Sequence, residues 1–125
     1  MAKYVDGYVV AIPKKNLAAY RKMAQMGAKL WRKHGALDYK ECVGQDLNPK
    51  MGGMQYLPFP KLAKVKPGET VIFAYILYKS RAHRDAVNKK VMNDPVMNKP
   101  EWKDMPMPFE MKRMAWGGFE VIAGA

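Results

Sequence analysis

At 125 residues, 49% hydrophobic and 26% charged, the chain can bury one core without metal or disulfide and is too apolar to be disordered. Its 22 Lys plus Arg against 11 Asp plus Glu leave a net charge of +11, a field that attracts polyanions and anionic substrates without specifying a fold. The single cysteine, Cys42, excludes an internal disulfide and suits a reducing compartment.

Met1 to Ile12 lacks the apolar run and cleavage site of a signal peptide, and no stretch is long and apolar enough to span a membrane. A cytoplasmic chain forming one domain over residues 1–125 is therefore expected. Tyr4 to Ile12 alternates as a strand, with Val5, Gly7, Val9 and Ala11 on one side and Tyr4, Asp6, Tyr8, Val10 and Ile12 on the other. The small first set is expected under a helix. The larger second set, with its carboxylate, is expected to face away.

Asn16 to His34 has helical spacing, and Gly35 stops it. Leu17, Tyr20, Ala24, Gly27, Ala28 and Trp31 form the stripe that should cover the sheet. Ala19, Met23, Met26 and Leu30 widen it to about half the circumference, more than one sheet contact needs. Ala36 to Val43 is a second alternating strand, placing Leu37, Tyr39, Glu41 and Val43 together. The irregular stretch Gly44 to Gly68 is punctuated by Pro49, Pro58, Pro60 and Pro67, and its Leu57, Phe59, Leu62 and Val65 should dock it.

Thr70 to Tyr78 is the clearest strand. Val71, Phe73, Tyr75 and Leu77 face one way, and Ile72, Ala74, Ile76 and Tyr78 the other. A strand apolar on both sides is covered on both sides. Ser80 should cap a helix through about Asn93, with His83, Ala86, Val87 and Val91 inward. Asp94-Pro95 starts a short turn. A Pro- and Met-rich connection then leads to a last strand, Met111 to Ile122, bent at Gly117-Gly118.

This order predicts an α+β fold of the ferredoxin-like, split β-α-β kind, a four-stranded antiparallel sheet with helices on one face. The doubly apolar third strand requires cover for the other face. A second copy, sheet against sheet in a dimeric α+β barrel, supplies it, so the first partner expected is the chain itself. The 11 methionines suit such an adaptable interface.

Several strings resemble the YbaA-like family of small bacterial and archaeal proteins of unknown function. They are Tyr4-Val5-Asp6-Gly7-Tyr8, Gly35-Ala36-Leu37 with Glu41-Cys42, and Lys66-Pro67-Gly68-Glu69-Thr70-Val71. Asn88-Lys89-Lys90-Val91-Met92 with Asp94-Pro95, and Met107 to Met114 with Gly117-Gly118-Phe119, complete them. The resemblance implies a dimeric α+β-barrel fold and no established activity. Met51 to Tyr56 and Lys99-Pro100-Glu101-Trp102 depart from it.

Asp6, expected inside the barrel with Arg113 as its partner, is the leading candidate for chemistry, because a buried carboxylate must be paired or protonated. Asp6, His83 and Arg113 are the candidate catalytic groups. Tyr4, Tyr8, Glu41 and Tyr75 are the candidate contacts to a small polar or aromatic ligand between the sheets. The same groups also read as an ion pair and phenol bonds that only fix the sheet. His83 also reads as a satisfied core histidine, His34 as a complement to a helix dipole, and Cys42 as a small buried side chain.

The scattered His and Cys do not make a metal site. Neither glycine pair matches a dinucleotide or phosphate loop, so no cofactor is expected. A competing reading is weak nucleic-acid binding by the basic helix face of Arg21, Lys22, Lys29, Arg32 and Lys33, which also reads as a solvated surface. Tyr8, Phe73 and Tyr75 could stack on RNA bases, but the Lys/Arg-Gly-aromatic string of RNA-recognition motifs is missing. A dimeric interaction module without chemistry is the third reading.

Overall fold

The computed structural model describes residues 2–125. Its strands are β1 (Tyr4–Pro13), β2 (Asp38–Val43), β3 (Glu69–Tyr78) and β4 (Ala115–Glu120). Its helices are α1 (Leu17–Lys33), α2 (Phe59–Leu62), α3 (Arg81–Met92) and α4 (Pro100–Lys103). The strands form one antiparallel sheet in the order β2-β3-β1-β4, the ferredoxin-like arrangement expected from the sequence.

The caps follow local chemistry. Ser80 accepts the His83 amide at 3.1 Å, and Asp94 accepts the Val96 amide at 2.9 Å with Pro95 opening the turn. Gly35, at φ 111°, takes the left-handed conformation after α1 that a residue with a Cβ rarely adopts. The last strand is shorter than its sequence pattern suggests. Met111–Arg113 makes a separate helical turn before it.

The two sides of β1 are reversed relative to expectation. Asp6, Val10 and Ile12, of the larger set, are buried with Tyr8 on the helix-covered side. The small set lies on the other side, where Ala11 is fully buried beside Val71 and Phe119 folds over Gly7 at the more open end. A Cβ on that glycine would stand 3.3 Å from the ring. Helices packed ~10 Å above a sheet leave room for tyrosine and isoleucine. The small residues instead serve a flat face across which a neighbouring aromatic lies.

The helix-side core falls into two clusters. One gathers Leu30, Ala36, Ile76, Tyr78, Val87 and Val91; the other gathers Val10, Ile12, Tyr20, Ile72 and Ala74. Tyr8 packs against both. On the open side Phe73 stays 45% exposed and Phe119 61% exposed. Of the long irregular stretch, Phe59 of α2 meets Phe73 edge-on, while Leu57 and Leu62 stay exposed. Cys42, expected buried, is exposed because it shares this uncovered side with its β3 partner Phe73.

Candidate functional site

The most developed polar feature sits at the seam between the two core clusters. Glu41 on β2 points to the helix side, level with Ala74 of β3. One carboxylate oxygen accepts the Tyr20 hydroxyl from α1, and the other accepts the Tyr39 hydroxyl at 2.7 Å. Both carboxylate oxygens thus accept from phenol hydroxyls. Burial, and then the charge of Glu41, push both phenols well above their ordinary range, so they stay protonated donors. Tyr8 is raised by burial first, then by the charges of Asp6 and Glu41 on either side of it.

Gly27 makes this arrangement possible. It is buried on α1 over Tyr39, and a Cβ there would lie 2.7 Å from the phenol oxygen. A cavity of about 200 Å³ opens beside the carboxylate, bounded by Tyr8, Trp31, Trp102 and Phe109 as well as Tyr20, Tyr39 and Glu41. On the far side of the same three polar residues, a cleft of about 620 Å³ runs between α1 and β2 to solvent. Glu41 and its two phenols thus form a shared wall between an inner chamber and an outer groove.

A fully buried carboxylate, Asp6, lies on β1. Its Oδ1 accepts from Arg84 Nη1 of α3 at 2.6 Å. Its Oδ2 has no hydrogen-bond partner among the described residues. Burial raises the Asp6 carboxyl above its ordinary range, against the opposing pull of Arg84. The guanidinium also sits 5.0 Å above the Tyr4 ring. Beside it, Asn88 Oδ1 accepts from the Trp31 indole at 3.0 Å and from the Tyr78 hydroxyl at 3.3 Å.

The profile of DUF1428, a protein family of unknown function, matches residues 3–111. The chain belongs to the DUF1428 family. It is similar to the uncharacterized protein YbaA of Escherichia coli K12, with 42% identity over 120 residues, 96% of this chain and 97% of that one. The same figures hold for YbaA of Shigella flexneri. Among solved structures it is similar to a dimeric ferredoxin-like protein from an uncultured marine organism. That match has a TM-score of 0.62 and 12% identity, and it covers all of both chains. At that identity the likeness concerns the fold.

In this DUF1428 chain the candidate residues read from sequence divide among several places. Tyr8 and Glu41 meet at the inner chamber. Asp6 is one strand-step away, paired with Arg84 and not with Arg113. Arg113 sits in the turn before β4, two residues ahead of Ala115, which pairs with Val9. At a strand rise of ~3.3 Å that puts it roughly 17 Å along the sheet from Asp6. It binds both oxygens of Glu69 instead, at 2.7 and 2.8 Å, and holds that carboxyl down at about 2.

His83 is occupied locally. Its Nδ1 accepts the Lys79 amide at 3.0 Å and its ring edge meets Tyr78, while burial, then Lys79 and Lys90, lower its pKa. Tyr4 lies over Gly118 and under Arg84. Tyr75 is on the open face, where its hydroxyl donates to Asp38 at 3.0 Å. The polar lining expected between two sheets is thus on the opposite side of the sheet, under the helices.

The basic row on α1 is partly committed. Arg32 donates to the Ala36 and Leu37 carbonyls, and Lys33 pairs with Asp94 at 2.8 Å. Arg21, Lys22 and Lys29 are exposed. His34 reaches the same Asp94 at 2.7 Å.

Tyr20, Tyr39 and Arg84 were not singled out from the sequence as site residues, although each left a signal there. Tyr20 is on the inward stripe of α1, and Tyr39 shares its strand face with Glu41. Arg84 stands at i relative to Val87, Asn88 and Val91 at i+3, i+4 and i+7, the buried face of α3.

Proposed function

We propose that this protein binds a small, largely apolar molecule under α1, in the inner chamber, with the ligand's one polar group meeting Glu41. The observation that carries this reading is a carboxylate held by two phenols at the wall of a 200 Å³ cavity. The recess is half-open to solvent and holds about 200 Å³, room for a small molecule. Glu41 is also placed to take a proton from a bound ligand, because each phenol can release its oxygen and re-form the bond afterwards.

The protein works as a homodimer, the open faces of two sheets packed on each other. Exposed Phe73 and Phe119 on a flat sheet support this, as does the dimeric assembly of the marine ferredoxin-like protein. In this arrangement the dimer contact and the ligand chamber are on opposite sides of the sheet.

Methyl-labelled methionine NMR tests the ligand reading, since Met23 and Met114 line the chamber and report on it directly. Titration with a set of small aromatic and aliphatic compounds is expected to move those two resonances together. Shifts confined to Met51, Met54 and other surface methionines, or none at all, would remove the chamber as a binding site.

A further inference from the structure

Resting on the reading of the chamber as a ligand site, we infer that its guest is a cation, specifically a small alkylammonium. Six of the residues lining the chamber are aromatic: Tyr8, Tyr20, Trp31, Tyr39, Trp102 and Phe109. In the whole chain aromatics are 11% of residues, so the wall is strongly enriched. The one charged side chain among the described lining residues is Glu41. An anion would meet that carboxylate with no opposing cation and is excluded.

A neutral guest gains only burial and one hydrogen bond. An alkylammonium gains more. Its methyl groups fill apolar space, its charge meets aromatic rings, and Glu41 neutralises it. Such an interaction grows as the guest and the rings around it shed water, and six aromatic side chains supply that wall.

The charge pattern around the chamber fits the same guest. The chain carries +11 overall, yet its cations stay outside this space: Arg21 and Lys40 border the outer cleft, and Lys40 is tied to Asp38. The thioethers of Met23 and Met114 complete a polarizable lining. Trp102, on α4, closes one side, and its ring lies within contact distance of a Cβ placed on Gly27.

Choline and its neutral carbon isostere, 3,3-dimethylbutan-1-ol, separate charge from shape. Calorimetric titration of the full chain is expected to show choline binding at least roughly tenfold more tightly than the isostere. Glu41→Gln should remove most of that preference while leaving the isostere within roughly threefold. Trp102→Leu, at a residue outside the phenol bonds, should also weaken choline selectively, which covers the case that Glu41→Gln fails to fold.

Equal or tighter binding of the isostere, with Met23 and Met114 shifting, would overturn the cation assignment and leave the chamber as a binding site. Binding of choline that persists unchanged in both variants would place it elsewhere and overturn the assignment as well. If neither compound binds, the cation assignment also falls, and the methionine titration decides separately whether the chamber takes any ligand.

Discussion

The two sides of this sheet solve opposite problems. Under the helices, β1 and β2 hold carboxylates: Asp6 buried against Arg84, and Glu41 half-buried between two phenols. On the other side of the sheet, β2, β3 and β4 leave Cys42, Phe73 and Phe119 in the open. The alternation of a strand makes this possible, because neighbouring residues point to different surroundings. Polar residues inside and apolar residues outside together indicate where binding energy is available. The covered side gathers the carboxylates and phenols, and the bare side presents exposed aromatic area.

The largest expected effect comes from putting charge on the bare side. Phe73→Glu would bury two like, unpaired charges in a sheet-to-sheet dimer, each costing about 3–5 kcal/mol. Multi-angle light scattering should show the mass fall from dimer to monomer with the circular dichroism spectrum retained. A wild-type chain already monomeric at micromolar concentration would break the comparison outright.

On the covered side, Asp6→Ala is expected to cost about 1–3 kcal/mol, because Arg84 Nη1 loses its buried acceptor while Nε keeps Asp85 at 2.7 Å. The double change Asp6→Leu with Arg84→Met should fall within ~1 kcal/mol of the original or exceed it. Urea unfolding midpoints distinguish the two outcomes. If the single and double variants lose equal stability, the pair contributes packing and not charge compensation.

A smaller effect is expected from Gly27→Ala. The alanine gains about 1 kcal/mol of helix propensity, but its methyl displaces the Tyr39 hydroxyl from Glu41. Stability should change by less than ~1 kcal/mol, while ligand-induced shifts of Met23 and Met114 weaken. Unaltered ligand response would show that the phenol bonds are not part of the site.

The mildest expectation concerns acid. Arg113, then the Lys66 amide, hold Glu69 at about 2 against an ordinary 4.5. Between those values the unfolded chain binds the extra proton. The stability this pair contributes is therefore present above pH ~4.5 and is lost as pH falls toward ~2. Glu69→Gln should flatten that part of an acid-denaturation profile. Asp6, whose folded pKa is raised, acts in the opposite sense: its contribution falls as pH rises above its ordinary 3.8.

The element order, the Ser80 and Asp94 caps and the left-handed Gly35 were legible from the residues alone. Each depends on chemistry within a few positions of chain. The antiparallel sheet followed from that order, as did the double apolarity of β3. Tyr20 could be placed on the sheet-covering stripe of α1, but Glu41 was expected on the opposite side, between two sheets, so the bond that joins them across elements was not legible. The pairing of Asp6 failed for a related reason. The expected partner, Arg113, belongs to the side away from the helices, whereas packing puts Asp6 under α3, within reach of Arg84.

Periodicity divides a strand into two sets of residues and says nothing about which set the helices will cover. Residue size was an unreliable guide on β1, because Phe119 needs Gly7 beneath it as much as any helix needs a small neighbour. Local patterns therefore established the strands, helices and caps of this chain. The three-dimensional packing assigned each face its surroundings, and with them the position of its carboxylates, because only folding brings β1, β2, α1 and α3 within hydrogen-bond distance.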